Sequence, residues 1–403
     1  MDSELLLFPA LAVVVIVWRL WRREAVRHER LIASIPVRIH VNGTRGKSTV
    51  TRIVAGMLRE AGIETVAKCT GTAAAVIAPD ASEHPIRRRG APTILEQIEV
   101  IGAHASPTTG ALVIECMALK PNNQHTSEHR IVRSTIGVIT NVREDHQDVM
   151  GETRPEIARS LMNTCPTNGT LVTAEEDPEI LGVMRREAEA RGTEILVATP
   201  QAVSDADVKG FSYFAFKDNI AIGLAIAELL GIDREAAIRG MQSAAPDPGV
   251  LRLRSFEMLG KRVTWANLFA VNDRESVVAA VDALSRHRTV DTTVVGILNN
   301  RADREQRATQ FADIAATELG LDRIALLGAY EHVLAKRLQS QHGISRDRLV
   351  LAGEQRELSL GRLLALLVAE QPTEHVLLLG LANIHSAQAS ALLQVFEGEW
   401  HAG

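Results

Sequence analysis

The run Asn42-Gly43-Thr44-Arg45-Gly46-Lys47-Ser48-Thr49 joins two glycines, a lysine and adjacent hydroxyls in one short stretch. Those residue types suit a phosphate cradle: glycines let backbone N–H groups turn toward phosphate oxygens, Lys47 reaches the β/γ-phosphates, and the Ser48 hydroxyl ligates Mg²⁺. Both flanks agree. Before the loop, Val37, Ile39 and Val41 alternate with Arg38 and His40, as in a strand. After it, Val50, Ile53, Val54, Met57 and Leu58 recur at helical spacing, and Gly62 is a stop signal. A helix starting at the loop aims its positive end at the phosphates. The common G-x-x-x-x-G-K-[ST] form would place its first glycine at Val41, so this loop is a shorter variant. The bland alternative is a glycine turn before a helix.

Further groups follow apolar runs. Glu115 ends Leu112-Val113-Ile114, where a charge is costly without a partner and where a carboxylate suits Mg²⁺; capping a loop is the alternative. Ile136–Ile139 leads into Thr140-Asn141-Val142-Arg143-Glu144-Asp145-His146-Gln147-Asp148. There His146 is a candidate metal ligand, with Asp145 or Asp148 orienting it; surface decoration is the alternative. Lys68 precedes a second small-residue loop, Thr70-Gly71-Thr72, and Arg87-Arg88-Arg89-Gly90 follows as either a clamp for an acidic substrate or a solvated loop. In the C-terminal half, Asn267, Asn272-Asp273-Arg274, Asn299-Asn300-Arg301-Ala302-Asp303-Arg304 and Gly380-Leu381-Ala382-Asn383-Ile384-His385 all follow strand-like runs, where a doubly wound sheet gathers ligands.

The elements that must position these groups read as α/β. The 403 residues, 46% hydrophobic, suffice for more than one domain. A net charge of −5 without a dense basic stripe, and 3% aromatics, argue against nucleic acid as a partner. Three cysteines without C-x-x-C spacing fit reduced thiols rather than disulfides or zinc. Strands are expected at Leu112–Ile114, Ile136–Ile139, Leu171–Thr173 and Ile195–Val197, and a helix at Asn219–Leu230. Pro246-Asp247-Pro248-Gly249 then breaks the pattern. Strand runs at Val263–Ala266, Thr293–Leu298, Ile324–Leu327, Leu349–Leu351 and Val376–Leu379 alternate with helical stretches at 274–286, 303–319, 331–341, 355–370 and 385–396, predicting a second parallel sheet.

The N-terminus differs. Leu5 to Trp18 is apolar, with Pro9 inside, and Arg19, Arg22, Arg23 and Arg27 follow. Through Trp21 it reaches roughly the 17–20 residues that a membrane span needs. Without a basic start or a clear cleavage site it reads as an uncleaved anchor, with the arginines holding the body on the cytoplasmic side of the cell membrane. A buried core helix is the alternative. The expected divisions are an anchor over 1–30, a nucleotide-binding domain over 31–247 and a Rossmann-like domain over 248–403.

Together these motifs resemble the Mur ligase superfamily of ATP-dependent amide ligases, which includes folylpolyglutamate synthases. Gly43–Thr49 resembles its shortened phosphate loop, and Thr140-Asn141-Val142 with Asp145-His146 and Asp148 its T-N-[VI]-x-x-D-H-x-D motif. Asn219 is similar to the asparagine that contacts adenine, and Arg252 to the arginine that reaches the nucleotide from the C-terminal domain. Within the superfamily the chain is most similar to the PgsB/CapB family, the ligase subunits of bacterial poly-γ-glutamate synthases. The Arg45 variant of the loop, Thr70-Gly71-Thr72, the Arg-Arg-Gly loop, Asn272-Asp273, and Gly380 with Asn383-Ile384-His385 carry that likeness. In place of a UDP-sugar domain stands the hydrophobic N-terminus. Many Mur ligases hold a second Mg²⁺ with a carbamylated lysine; here no lysine occurs from Pro121 to Val208, leaving one metal, or a carboxylate such as Glu144, Asp145 or Asp148 in its place.

The resemblance implies an ATP-dependent ligase polymerising glutamate through its γ-carboxylate by way of an acyl phosphate. It implies Lys47, Glu115, His146 and Arg252 as catalytic residues. Mg²⁺, or Mn²⁺, would be held by Ser48, Glu115 and His146, and nucleotide by residues 42–49, Asn219, Arg252, Asn272 and Asp273. Thr70, Thr72, Arg88, Arg89, Arg301, Arg304 and His385 are its candidates for glutamate and the growing chain. Small integral membrane subunits docking at the N-terminal helix are the implied partners, and homo-oligomerisation is left open. A folate-type glutamyl ligase and a membrane-tethered P-loop ATPase subunit are the competing readings; only the ATPase would release phosphate without glutamate.

Overall fold

The structure is a computed structural model that describes residues 3–71, 74–88, 90, 92–247, 253–269, 271, 274–284, 288–353, 358–383 and 386–398. The chain forms two compact units, Met1–Val250 and Leu251–Gly403. In the first, β1 (Val37–Asn42), β2 (Thr65–Cys69), β3 (Ala75–Ile77), β4 (Glu83–Pro85), β5 (Ala111–Glu115), β6 (Ile136–Ile139), β7 (Thr170–Thr173) and β8 (Glu194–Val197) form one sheet. Its order is β4-β3-β2-β5-β1-β6-β7-β8, parallel except for the β3 and β4 edge. Apolar side chains cover both faces, as the near-continuous Val/Ile/Leu runs require. The chain leaves β1 for β2 on one side, while β6 lies on the other. That reversal opens a crevice at the strands' carboxyl ends. Register puts Val41 beside Glu115 and Asn42 beside Ile139, so the loops after β1, β5 and β6 meet.

Three helices of this unit flank the sheet near its N-terminal segment and its crevice: α1 (Ser3–Ser34), α2 (Lys47–Glu60) and α3 (Glu96–His104). The second half of α1 belongs to the core of this unit. Ile32 is buried, Ile35 after the helix joins the same cluster with Ile101 and Leu112, and His28 Nε2 donates to the Ile131 carbonyl at 2.9 Å. No helix among the described residues is long and apolar enough to cross a membrane. This corrects the expected transmembrane anchor, and with it the membrane localisation and the tethering to membrane subunits through that helix. The physical reason is continuity. The apolar run stops at Trp18, and reaching span length means taking in Arg19 on a helix that continues directly into Arg22, Arg23, Arg27 and Arg30.

In the second unit, β9 (Leu253–Met258), β10 (Lys261–Asn267), β11 (Thr292–Asn300), β12 (Arg323–Gly328), β13 (Leu349–Gly353) and β14 (His375–Ala382) form a sheet in the order β13-β12-β11-β14-β10-β9. The expected strands and intervening helices are present. Several features escaped the sequence reading, among them the edge strands β3 and β4. The edge strand β9 pairs antiparallel with β10 across Leu259-Gly260, both with positive φ (51° and 73°), the turn geometry that suits a tight hairpin. In the first unit, Thr65–Cys69 is a fully buried strand although it carries Lys68.

That tolerance of buried charge recurs in β1. His40 is fully buried with Nδ1 2.8 Å from Glu128 Oε2, and the other oxygen of Glu128 accepts from the Ser134 amide and hydroxyl. Burial works against the imidazolium, but the neighbouring Cys116 and the Glu128 carboxylate that accepts from Nδ1 outweigh it and raise the His40 pKa to about 9. A folded-state pKa above the unfolded 6.5 contributes stability that is complete below pH 6.5 and is lost as pH rises through about 9. His40→Ala, which strands Glu128, should cost about 3–5 kcal/mol in urea unfolding. The gap from wild type should narrow as pH climbs through that window; a gap independent of pH would contradict a protonated His40.

Candidate active site

The loop after β1 has the backbone its glycines allow. Gly43 sits at φ 127° and Gly46 at φ 84°, both in the left-handed region. At Gly43 an added Cβ would lie 2.1 Å from Thr140 Oγ1, so the loop is pressed against the segment after β6. That segment grips it. The Asn141 carbonyl accepts from the Thr44 amide at 3.1 Å, Asn141 Oδ1 accepts from the Arg45 amide at 3.1 Å, and Thr140 Oγ1 donates to the Arg45 carbonyl at 2.6 Å. Arg143 N donates to Thr44 Oγ1 at 3.0 Å, and Arg45 pairs with Asp145 at 3.2 Å. Lys47 Nζ donates to the carbonyls of Gly43 and Thr44 at 2.7 and 3.2 Å. Desolvation lowers the pKa of this lysine, with Glu115 and Cys116 working against the shift.

Glu115, buried at the end of β5, faces the first turn of α2. Ser48 Oγ donates to its two oxygens, each at 3.0 Å, and the Thr70 amide donates to Oε2 at 2.6 Å. Gly71 closes this corner, since an added Cβ would meet Ser48 Oγ at 2.3 Å. Asn219, in the first turn of the helix Lys217–Leu229, lies against Gly46; a Cβ there would be 2.7 Å from its Oδ1.

Ser48, Glu115 and Thr70 therefore come together, as do the phosphate loop, Thr140–Asp145 and Asn219. His146 makes no direct bond to the first group. It is half-exposed, its Nε2 lies 3.7 Å from Asp145 Oδ2, and no hydrogen bond or ion pair joins it to Ser48 or Glu115. Arg88 is clamped to Glu96 by Nε and Nη2 at 2.7 and 3.0 Å. In the second unit Arg301 pairs with Asp303 at 2.9 and 2.8 Å, and Arg304 precedes the helix Glu305–Thr317. Thr72, Arg89, Arg252, Asn272, Asp273 and His385 lie outside the described residues.

Several pairings went unread. Lys68 is fully buried and 2.9 Å from Glu96, which thus links it to Arg88; burial lowers the pKa of Lys68, and its two cations lower that of Glu96 against desolvation. Arg52 on α2 makes a two-pronged pair with Glu83 at 2.6 and 3.0 Å. Arg154 binds the Val142 carbonyl, Glu175 and Asp177, while Glu175 accepts from the Val142 amide, which fixes the T-N-V segment from behind. A charge inside an apolar strand, as at Lys68, was the available signal.

The donors suit a phosphate-bound Mg²⁺. A hydroxyl and a carboxylate, both hard oxygens, converge at the sheet's carboxyl edge. Among the described residues no group of three or more His, Cys, Asp or Glu gathers, so such an ion would complete its shell with phosphate and water.

Two family models and several known proteins match the chain. The model for the poly-gamma-glutamate synthase CapB C-terminal domain matches residues 253–399, and that for the Mur ligase middle domain residues 41–227. The chain is 35% identical to the PGA synthase CapB of Bacillus subtilis (strain 168) over 394 residues, 97% of this chain and 98% of that protein. It is 40% identical to the capsule biosynthesis protein CapB of Bacillus anthracis over 302 residues, 74% of this chain but just 64% of that protein's length. Among solved structures, MurF from Acinetobacter baumannii superposes with a TM-score of 0.63 at 17% identity, covering 93% of this chain and 79% of that one. E. coli FolC in complex with ADP gives 0.62 at 14% identity, covering 93% and 92%. At such identities these two show the fold alone, an α/β arrangement of the Mur ligase kind.

Gly71→Ala tests the Ser48–Glu115 corner. Its methyl displaces the Ser48 hydroxyl without straining the backbone. The expected result is a wild-type melting temperature with Mg²⁺-dependent ATP binding weakened roughly tenfold, or about 1.4 kcal/mol. Unchanged titrations would remove this corner from the nucleotide site.

Proposed function

The chain belongs to the CapB family of poly-γ-glutamate synthases, and from that premise we propose how its residues carry out the ATP-dependent joining of glutamate through its γ-carboxylate. ATP transfers its γ-phosphoryl group to the γ-carboxylate of the acceptor, leaving ADP and an acyl phosphate. The amine of the incoming glutamate attacks the acyl carbon and loses a proton, and the tetrahedral intermediate expels phosphate to leave the amide. Such transfers ask the protein chiefly for positioning and charge neutralisation.

The observation that carries this reading is the meeting of the Ser48 hydroxyl with both oxygens of Glu115 beside the glycine loop. The amides of Gly43 and of residues 46–48, at the amino end of α2, bind the phosphates, the Thr44 and Arg45 amides being held by Asn141, and Lys47 neutralises charge on the group transferred. Ser48 and Glu115 would hold Mg²⁺, which would supply further charge neutralisation. Thr140 and Asn141 keep the loop in shape, and Asn219 borders the nucleotide from Gly46. His146 acts from the rim, next to the Asp145 that holds Arg45. Arg88 takes a glutamate carboxylate: Glu96 occupies Nε and Nη2, and among the described residues Nη1 makes no hydrogen bond.

Phosphate release from ATP should depend on glutamate and yield γ-linked product. Lys47→Ala and Glu115→Gln should each lower kcat/KM by roughly a hundredfold to a thousandfold. Release that ignores glutamate and leaves no γ-linked product, or that survives Lys47→Ala intact, would sink the assignment.

A further inference from the structure

The first unit holds a second concavity whose lining includes no residue of the phosphate-loop constellation. Between α1 and the end of α3 lies a cavity of about 930 Å³ whose lining includes Arg19, Arg22, Arg23, Arg27 and Arg30. Its opposite wall is built from small residues, among them Gly102 and Ala105. No carboxylate lines it; Ser34, Ser106 and the Trp18 indole supply the other polar groups. All five arginines are exposed, and among the described residues none makes a hydrogen bond or ion pair. Arg22 alone has a partner, the Trp18 ring, with its guanidinium carbon 5.2 Å from the centroid. The neighbouring acids on the helix, Glu24 and Glu29, do not reach the cavity lining.

Spacing gives this cluster a direction. Arg19, Arg23, Arg27 and Arg30 recur every three or four residues, so they share one helix face and make a row about 16 Å long at 1.5 Å per residue. A small anion engages one or two guanidinium groups. A row of four cations, with Arg22 beside it, in a net-negative protein suits an anion that repeats. Joining glutamate through its γ-carboxylate consumes that carboxylate and the amine, and leaves one free carboxylate on every residue of the product.

We propose that this arginine-lined cavity is a binding site for the acidic polymer that the enzyme makes, engaging several of its carboxylates at once. The inference rests on the reading of the reaction as glutamate polymerisation. The cavity retains product that has left the catalytic crevice, so the growing chain is re-engaged more often than it is lost.

The test uses the full-length protein and a fluorescent, short γ-linked glutamate oligomer, with binding followed by anisotropy in the absence of ATP. Wild type should bind, with affinity falling as salt rises. Arg19→Gln/Arg23→Gln/Arg27→Gln should weaken binding roughly tenfold or more. Its circular dichroism and glutamate-dependent initial rate of phosphate release should stay at wild-type levels while the polymer made becomes shorter. No binding by wild type, or equal binding by the triple variant, overturns the proposal. So does displacement of the oligomer by vesicles of anionic phospholipid at equal charge, which would give the cavity to lipid headgroups. Specific oligomer binding by a protein that shows no glutamate-dependent turnover would uphold the cavity and defeat the polymerisation reaction.

Discussion

The catalytic crevice depends on one close approach, the backbone of Gly43 against Thr140 at the carboxyl edge of the parallel sheet. A glycine-rich loop has little shape of its own, because freedom in φ is what its residues contribute. Here the shape comes from outside, as Thr140 and Asn141 bond the amides of Thr44 and Arg45 and the carbonyl of Arg45. Those bonds exist because β1 and β6 pair with Asn42 opposite Ile139. A slip by one residue would turn every side chain of β1 to the other face and pull the loop off its mould.

The sheet behind the loop is not purely apolar. His40 with Glu128, Lys68 with Glu96 and Arg88, and Arg52 with Glu83 are ionic groups with at least one member buried. Such pairs contribute little net stability, since desolvation offsets most of their attraction, but breaking one leaves a charge without compensation. They therefore act through geometry. His40 ties β1 to the π-helical turn Ser127–Val132, Arg52 ties α2 to β4, and Lys68 ties β2 to α3. Each tether ends at an element next to the nucleotide loop or to Glu115, so cost in the core becomes rigidity at the site.

Helix α1 shows how composition and continuity part company. Its apolar first half and its basic second half look like an anchor and its flank when read as hydropathy. In the fold the second half carries a buried histidine and isoleucine into the sheet's core while turning its arginines outward. Burial is thus distributed along this half of the helix by face rather than by segment.

Local chemistry was legible in the sequence wherever a residue's role follows from its neighbours in the chain. The glycine loop, the strands of the second unit and the polar residues after β5 and β6 belong here, because backbone freedom, strand period and strand ends are short-range properties. The N-terminal run reaches span length only when its apolar count is taken across Arg19, and there the reading of hydropathy failed. Beyond that reach lay everything set by partners distant in sequence. A buried Lys68 reads as a loop residue until Glu96 is seen beside it, and β9 is a strand only because β10 folds back on it. The pairing of Ser48 with Glu115 belongs with these, since a motif specifies residue types while the register of β1 beside β5 decides which side chains meet. Tertiary structure decided these because burial, register and charge pairing are properties of two segments together, and no single segment carries them.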